Sequence, residues 1–370
     1  LEEGAVDISA EPEIIQSGHP STLSWTSTNA TSARIDQGIG DVPIEGSTTL
    51  STTETKTYTN TATGPGGSAT DSVTVVVITP PEDVDHGMPD HDQQGGAGLV
   101  GETISILNGT NAESRSDLSF PSPNTLGLTF EAHYNSRSQT LGPLGYGWTH
   151  TYDSSLDPAY QIEGKDFVRI VDQTGRAHYF LEEAPGSYKG AFNERTHVML
   201  EAGDYVWYRL DGTRYGFLSS GELMWIDDEK KNRLELAYDA QGRLDTVTDT
   251  ATGRVLILYY YADGLLDYIE GPATPAVPDG IWVTYSYDTN QNLASVTYAD
   301  GSGFTYAYTD PTDIHNLTEK TDKLNHLLNT WSYDDEDRAL SKFSVEGKGV
   351  TNITYVSDTQ VEVTDAYGTL

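Results

Sequence analysis

The densest set of side chains able to do chemistry lies between residues 82 and 92. It consists of five acids and two histidines: Glu82, Asp83, Asp85, His86, Asp90, His91 and Asp92. Carboxylates together with imidazoles are zinc or calcium ligands. Their spacing matches neither His-Glu-x-x-His on a helix nor an EF-hand loop. A flexible segment would also lose conformational entropy on binding an ion. We therefore interpret this segment as a solvated linker, with a metal site as the less favoured alternative.

Motifs for nucleophilic catalysis and phosphate binding are absent from the sequence. There is no cysteine, no Gly-x-Ser-x-Gly and no Gly-x-x-x-x-Gly-Lys. We interpret His150 as a hydrogen-bonded structural histidine rather than a general base, and the acidic run Asp334–Asp337 as a turn. A glycosidase pair of carboxylates cannot be located from the sequence. We predict that this chain has no catalytic residue, no cofactor and no metal site.

The charge balance restricts the partners of the chain. Its 370 residues contain 21 basic and 56 acidic side chains, a net charge of −35. This charge disfavours binding to nucleic acid backbones and to anionic membranes. It indicates a solvated acidic surface suited to a salty extracellular medium, with calcium binding as the alternative. The longest apolar run, Val255–Ala262, is far shorter than the roughly 20 residues that span a bilayer.

A short sequence phrase recurs from Phe217 onward and indicates the secondary-structure elements of this part of the chain. The phrase is an aromatic residue, three further residues, glycine, any residue and leucine, and it returns every 21 to 27 residues. Its copies are Phe217–Leu223, Tyr238–Leu244, Tyr260–Leu266, Tyr287–Leu293 without the glycine, and looser copies from Tyr308, Tyr333 and Tyr355. In the better copies an apolar residue follows three positions after the leucine. A period of this length indicates stacked supersecondary units.

Each repeat has the pattern of a β-hairpin. The run Arg233–Tyr238 alternates polar and apolar residues, and a similar run starts at Arg243 after a short Asp-Ala-Gln-Gly break. The glycine suits a turn position with positive φ, and the leucine and the later apolar residue are expected on the inner face. Successive hairpins should then pair into one continuous sheet. With 36 glycines, 16 prolines and 23 tyrosines, the composition also favours an all-β fold. We interpret the tyrosines as packing residues, with carbohydrate stacking as the alternative.

The phrase Tyr-Asp-x-x-Gly-Arg-Leu at Tyr238 resembles the YD repeat of RHS proteins. The region before it resembles the segment that introduces such repeats. Three stretches carry this second resemblance: the one starting at Asp117-Leu-Ser-Phe, the one from Leu128 to Arg137, and Gly142-Pro-Leu-Gly-x-Gly-Trp-x-His150. The resemblance covers about residues 100–370. We expect the glycines of the last stretch to form tight turns under an aromatic plug, Trp148.

The resemblance implies a function. In RHS proteins the repeats wind into a hollow β-sheet shell that encloses a C-terminal polymorphic toxin, and the teneurins carry a related shell. The family's self-cleaving aspartyl site lies in a C-terminal core region that we expect to lie beyond this fragment. The resemblance therefore implies a non-catalytic part of a bacterial, secreted or cell-surface protein. Its partner would be a downstream toxin domain of the same polypeptide. A surface adhesin or carbohydrate-binding protein, with a glycan or cell-surface receptor as partner, is the alternative, and a glycosidase-like enzyme is less favoured.

The N-terminal part forms a separate unit in this interpretation. Alternating strand-like runs separated by Gly and Asn/Asp clusters suit a small sandwich and resemble bacterial Ig-like modules. Tyr58 lies where a tyrosine-corner residue would, and Asn60 takes the inward position of an immunoglobulin's second cysteine. The predicted organisation is an Ig-like β-sandwich at 1–79, an acidic linker at 80–98, an introductory RHS β region at 99–215 and YD/RHS repeats at 216–370.

Overall fold

The computed structural model describes residues 4–79, 99–100, 103–105, 108–122, 126–192, 194–345, 349–357 and 360–364. All regular structure in these residues is β-strand, which confirms the all-β prediction. No helix able to cross a membrane is found in the described part of the chain. One compact unit is centred on residues 4–79 and a second on the residues from 99 onward. The proposed linker at 80–98 lies outside the described residues.

The first unit is built from two sheets that share one core. Its strands are β1 (Ala5–Glu11), β2 (Ile14–Ile15), β3 (Pro20–Thr28), β4 (Ser32–Ile35), β5 (Gly40–Val42), β6 (Glu45–Ser51), β7 (Lys56–Gly64) and β8 (Gly67–Val77). The sheets have the orders β1-β3-β6 and β2-β8-β7-β4-β5. Side chains alternate along β3, so that Leu23 and Trp25 join Ile35 and Val75 of the other sheet in one apolar cluster. The unit is a β-sandwich, and its kinship with Ig-like modules stays a prediction.

Two residues of β7 test the predicted strand frame. Tyr58 is buried near the start of this penultimate strand, and Asn60 is fully buried two residues later. Both positions are as predicted. Neither amide atom of Asn60 has a hydrogen-bond partner among the described residues. A buried amide in this condition costs about 1–3 kcal/mol, so Asn60 destabilises the sandwich relative to an apolar residue of its size.

The second unit begins with short strands and a three-stranded antiparallel sheet. Its first strands are β9 (Leu99–Val100), β10 (Ile104–Ser105), β11 (Ala112–Phe120), β12 (Leu128–Asn135), β13 (Leu141–Gly142), β14 (Gly145–Tyr146) and β15 (Trp148–His150). The order β11-β12-β15 defines the three-stranded sheet, and β13 and β14 form a small hairpin within the β12–β15 connection. β11 and β12 pair along their whole length, with one bulge between Ser116 and Leu118.

Twenty further strands form one antiparallel sheet in strict chain order, which we call the large sheet. They are β16 (Ser155–Ile162), β17 (Lys165–Val171), β18 (Ala177–Ala184), β19 (Ser187–Gly190), β20 (His197–Glu201), β21 (Asp204–Tyr208), β22 (Arg214–Phe217), β23 (Leu223–Asp227), β24 (Arg233–Tyr238), β25 (Leu244–Asp249), β26 (Arg254–Tyr260), β27 (Leu266–Glu270), β28 (Ile281–Tyr287), β29 (Leu293–Tyr298), β30 (Gly303–Ala307), β31 (Glu319–Asp322), β32 (Leu327–Tyr333), β33 (Ala339–Ser344), β34 (Gly349–Ser357) and β35 (Gln360–Thr364). The predicted continuous sheet of hairpins is confirmed. The predicted boundary between 215 and 216 falls inside β22, and the pairing of β22 with β21 runs across that point.

The repeat phrase forms the turn of each hairpin. In the copy at Tyr238, the backbone N–H of Gly242 donates to the carbonyl of Asp239 at 3.0 Å, and Gly242 has a φ of 78°. The carboxylate of Asp239 accepts the backbone N–H groups of Gln241 and Arg243 at 2.9 and 3.0 Å. This is a type I turn closed by a left-handed residue, a common three-residue hairpin loop. The copy without glycine keeps the conformation, since Gln291 has a φ of 64°.

A β-bulge explains why the leucine and the apolar residue three positions later share one face. Residues three apart on a regular strand point to opposite faces, because side chains alternate with period two. Ala237 pairs with Thr246 but Tyr238 pairs with Leu244, which leaves Asp245 as the extra residue. Leu244 and Val247 are therefore both buried. The same shift recurs in the copies at Tyr260, Tyr287 and Tyr333.

The repeat tyrosines tie each hairpin to the one before it. The hydroxyl of each donates to the carbonyl of the residue that follows the preceding repeat's turn. The donor–acceptor pairs are Tyr238–Leu223 (2.7 Å), Tyr260–Leu244 (2.7 Å), Tyr287–Leu266 (2.8 Å), Tyr308–Leu293 (3.1 Å), Tyr333–Leu317 (2.7 Å) and Tyr355–Ala339 (2.9 Å). The interpretation of these tyrosines as packing residues is confirmed.

We expect Tyr260→Phe to lower the free energy of unfolding by about 0.5–1.5 kcal/mol, because the Leu244 carbonyl loses its tyrosine donor. Tyr268→Phe is the matched control, since this half-buried ring stacks on Tyr259 instead, with 4.4 Å between ring centroids. Urea denaturation followed by tryptophan fluorescence measures both. Equal stability of the two variants would show that the hydroxyl-to-carbonyl bonds contribute nothing.

The last described strand should be the least protected of the array. β35 pairs with β34 alone among the described residues, so one of its edges has no partner strand there. Unpaired strand edges exchange their amide hydrogens readily. We expect hydrogen exchange of a dilute monomer to show the highest protection around 217–296 and a decrease toward residue 364. Uniform protection through β35 would require that another segment covers this edge.

Candidate functional site

The three-stranded sheet packs against one face of the large sheet. β12 contacts β25 and β26, while β11 contacts β28. The two sheets share a single apolar cluster that runs from Ile104 to Ile353. Within it, Phe130 lies 6.5 Å from Tyr285 and Trp148 lies 5.3 Å from Tyr306, measured between ring centroids. One face of the repeats is thus covered by the segment that precedes them in the chain.

A buried ion pair lies at the centre of this interface. Arg115 and Asp117 of β11 form a two-pronged contact, with Nη2 of Arg115 2.8 Å from Oδ2 of Asp117, and their side chains are 3% and 0% exposed. The hydroxyls of Tyr285 and Tyr298 donate to the same carboxylate at 2.8 and 2.9 Å. Burial opposes the charge of Arg115, but Asp117 and the hydroxyl of Tyr306 hold its pKa well above the usual value. Arg115 is therefore charged, and the carboxylate of Asp117 accepts four hydrogen bonds.

Further polar contacts extend this interface toward the later repeats. Nζ of Lys320 binds the carboxylate of Glu113. The amide of Asn111 donates to the hydroxyl of Tyr333 at 2.9 Å. Tyr134 accepts the backbone N–H of Leu317 through its hydroxyl, at 2.9 Å. Sequence separations of roughly 180 to 220 residues mean that these contacts join distant parts of the chain.

The glycine-rich phrase places a tryptophan inside the same interface. Trp148 is fully buried, and its indole N–H donates to the hydroxyl of Tyr308 at 2.9 Å. Gly145 and Gly147 have φ angles of 96° and 72°. A Cβ atom at Gly145 would lie 2.5 Å from the carbonyl oxygen of Gln291, so only glycine fits there. The predicted arrangement of tight turns around an aromatic plug is confirmed.

A second buried network surrounds His178 of β18. Its Nε2 lies 3.0 Å from Asp172 and its Nδ1 lies 2.5 Å from Glu194. Burial opposes its charge, but hydrogen bonds to the two carboxylates raise the pKa of His178. Although burial acts the other way, His178 lowers the pKa of Glu194 to about 2 and lowers the pKa of Asp172 as well. The imidazolium thus lies between two carboxylates, and neither ring nitrogen is available to act as a general base.

The interpretation of His150 as a structural residue is supported by its contacts. It is buried, its Nδ1 accepts the backbone N–H of Tyr152 at 3.2 Å, and its ring packs 4.8 Å from that of Phe130. Burial lowers the pKa of His150 to about 3, so the ring is neutral. The acidic run is a turn as predicted, because Asp334 accepts the backbone N–H groups of Glu336 and Arg338. The acid-histidine cluster at 82–92 lies outside the described residues.

A cavity of about 540 Å³ lies at the turn edge of the first three repeats. Its walls include the rings of Tyr238 and Tyr260 and the side chains of Asp153, Glu222 and Arg243. Burial raises the pKa of Asp153 to about 6. In the part of the chain that the structure describes, no three acids or histidines stand close enough to hold a metal ion. Sequence reasoning missed this cavity and both buried networks.

The chain is similar to several known proteins. Residues 101–180 match a family described as a domain of unknown function, DUF6531. The chain is 28% identical over 292 residues to double-stranded DNA deaminase toxin A of Burkholderia cenocepacia, which aligns 73% of this chain with 19% of that protein. It is 24% identical over 318 residues to probable deoxyribonuclease RhsB of Dickeya dadantii, covering 70% and 22%. The chain thus spans about a fifth of the length of these relatives.

A solved structure of the Tc holotoxin pore of Photorhabdus luminescens matches 71% of this chain and 14% of its own chain, with 16% identity and a TM-score of 0.28. The family match covers β11, β12 and the Trp148 phrase, and the curated matches each cover more than two thirds of the chain. Hairpins of the Tyr-Asp type follow that region in one uninterrupted sheet. The DUF6531 match, the Rhs and deaminase-toxin relatives and the repeat structure together support an RHS/YD-repeat protein.

Proposed function

We propose that this chain is a non-catalytic wall segment of an RHS-type β shell. The shell would enclose a toxin domain carried downstream in the same polypeptide, in a bacterial protein that is secreted or displayed at the cell surface. The main observation that supports this proposal is the large sheet, in which each repeat adds one hairpin in chain order. A sheet built in this way grows by repetition and makes an extended wall rather than a single pocket.

The relatives support a division of labour along such a polypeptide. Their names specify a DNA deaminase toxin and probable deoxyribonucleases, yet this chain aligns with only 18% to 22% of their length. Two sets of its buried titratable groups, the Arg115–Asp117 pair and the His178 network, are engaged in ion pairs and hydrogen bonds with one another. A net charge of −35 also disfavours direct contact between this segment and DNA. Catalysis on DNA therefore belongs outside this segment in our proposal.

Adhesion through glycans is the less favoured function. Carbohydrate binding by stacking needs exposed aromatic faces, but the repeat tyrosines are packed against the core cluster and donate to backbone carbonyls. No described feature favours a particular glycan or receptor.

Limited proteolysis of the full-length polypeptide tests whether the shell encloses the downstream domain. The wild type and a Glu336→Gln control are digested beside Asp117→Ala, which removes the buried carboxylate at the interface of the two sheets. We expect a downstream fragment to survive in the first two and to be degraded in the third. Equally fast loss of the downstream region in all three would contradict enclosure.

A separate assay tests the absence of catalysis. The 370-residue chain is incubated with double-stranded DNA, and deamination and cleavage are measured against the full-length protein. We expect no turnover by the chain. Turnover that a single substitution within these residues abolishes would overturn the non-catalytic assignment.

A further inference from the structure

The residue after the left-handed turn position, which is Gly242 in one repeat and Asp337 in another, differs between repeats in a way that affects the cavity. In two repeats it is an arginine that lies over the ring of the next repeat's tyrosine. Arg243 stands 4.7 Å from the ring centroid of Tyr260, and Arg338 stands 4.4 Å from that of Tyr355. Each arginine also pairs with the aspartate of its own turn. The repeat thus has a built-in position for a guanidinium on a tyrosine face.

In the first repeat this position is occupied by a carboxylate instead. Glu222 follows Gly221, and the next repeat tyrosine is Tyr238. The charge of Glu222 acts on Tyr238 and contributes to the raised pKa of its hydroxyl, after burial and Asp153. Among the described residues, no lysine or arginine lies over the ring of Tyr238. The first repeat therefore has the aromatic face and a negative charge, but not the resident cation.

The cavity lies where this guanidinium would be. Glu222, Tyr238 and Asp153 line it, and Asp263 adds a third carboxylate. The one basic side chain in its wall, Arg243, is already paired with Asp239 at 2.6 Å. No described group donates a hydrogen bond to the Asp153 carboxylate. The wall therefore carries excess negative charge with free acceptor capacity.

A buried polar side chain also lies in the wall of the cavity. Ser154 lines the cavity and is 5% exposed, and its hydroxyl has no hydrogen-bond partner among the described residues. Buried hydroxyls are nearly always hydrogen-bonded in native proteins. The carboxylates are too dispersed to hold a single metal ion, whereas a volume of about 540 Å³ accommodates an amino-acid side chain and its backbone.

We propose that this cavity binds a guanidinium group, presented by an arginine side chain of a peptide. The guanidinium would lie over Tyr238 and bind Glu222 and Asp153, which supply the charge that a planar five-donor cation requires. The incoming group thus takes the position that Arg243 and Arg338 occupy in their own repeats. The site is independent of the proposed enclosure of a toxin.

Calorimetric titration of the 370-residue chain with N-acetyl-arginine amide tests the site. N-acetyl-citrulline amide is the neutral probe of the same shape. We expect the arginine probe to bind about tenfold more tightly than the citrulline probe, because only the former carries charge. Asp153→Asn should weaken arginine binding severalfold. Asp245→Asn is the charge-matched control on the exposed side of β25 and should leave binding unchanged.

A substitution that introduces the arginine found at this position in two other repeats gives the most decisive test. Glu222→Arg places a resident guanidinium over Tyr238 and should abolish binding of the probe while the protein stays folded, as circular dichroism would verify. Equal binding of arginine and citrulline would overturn the proposal. So would unchanged arginine binding in Glu222→Arg, or no heat of binding at about 10 mM probe.

Discussion

Replacement of Asp117 by alanine is expected to lower the free energy of unfolding of the second unit by about 3–5 kcal/mol. The substitution leaves Arg115 charged and buried without its carboxylate. It also removes the acceptor of the hydroxyls of Tyr285 and Tyr298. Removing one partner of a buried ion pair costs far more than removing both, because the remaining charge keeps its full desolvation penalty.

Urea denaturation followed by tryptophan fluorescence measures this effect, since Trp148 lies beside Arg115. The double variant Arg115→Met/Asp117→Leu should recover at least half of the loss. Glu336→Gln is the control, because this carboxylate is 66% exposed and 3.4 Å from Arg338. Such a surface pair contributes about 0–1 kcal/mol. A loss in Asp117→Ala no larger than in the control would show that the pair does not hold the two sheets together.

Replacement of His178 by leucine is expected to cost a similar amount, about 3–5 kcal/mol, with a distinctive dependence on pH. The leucine leaves Asp172 and Glu194 buried without the imidazolium between them. His178 has a raised pKa, so its contribution is complete below the unfolded value of 6.5 and is lost as pH rises through the higher folded pKa. Glu194 has a lowered pKa, so its contribution is present above the unfolded value of 4.5 and is lost as pH falls toward about 2.

The difference in stability between wild type and His178→Leu should therefore be largest between pH 4.5 and 6.5 and should decrease on both sides. Denaturation midpoints at a series of pH values give this profile. His326→Leu is the matched control, because His326 pairs with Asp322 while 70% exposed. A flat profile for His178→Leu would show that packing of the ring, and not its charge, stabilises this region.

The hairpins were predictable because their signals are local. In the copy at Tyr238 the aromatic residue, the aspartate and the glycine lie within five residues and together favour a turn, so the sequence from Tyr238 to Leu244 predicts its own hairpin loop. The bulge was not predictable from alternation. Counting by two places Leu244 and Val247 on opposite faces, and only the pairing register shows that Asp245 is the extra residue.

The buried networks were not predictable because no local sequence pattern marks their partners. Arg115 and Asp117 occupy alternate positions of β11, a pattern that equally suits a solvated strand face. Their burial depends on Tyr285, Tyr298 and Tyr306, which belong to strands of the large sheet far along the chain. His178 presents the same difficulty, since nothing in its local sequence pairs it with Glu194. The equivalence of Glu222 with Arg243 and Arg338 depends on where each side chain lies relative to the next repeat's tyrosine, which the sequence alone does not give.

The strict chain order of the large sheet has a consequence for how the protein is made. Each strand pairs only with its sequence neighbours, so loops closed during assembly are short and cost little entropy. A hairpin leaving the ribosome finds its partner already synthesised. The three-stranded sheet also precedes the repeats in the chain, so it is synthesised before the strands that pack on it. Assembly can thus proceed from the N-terminal end as synthesis does, and a pulling force on the C-terminal side would detach the hairpins one at a time.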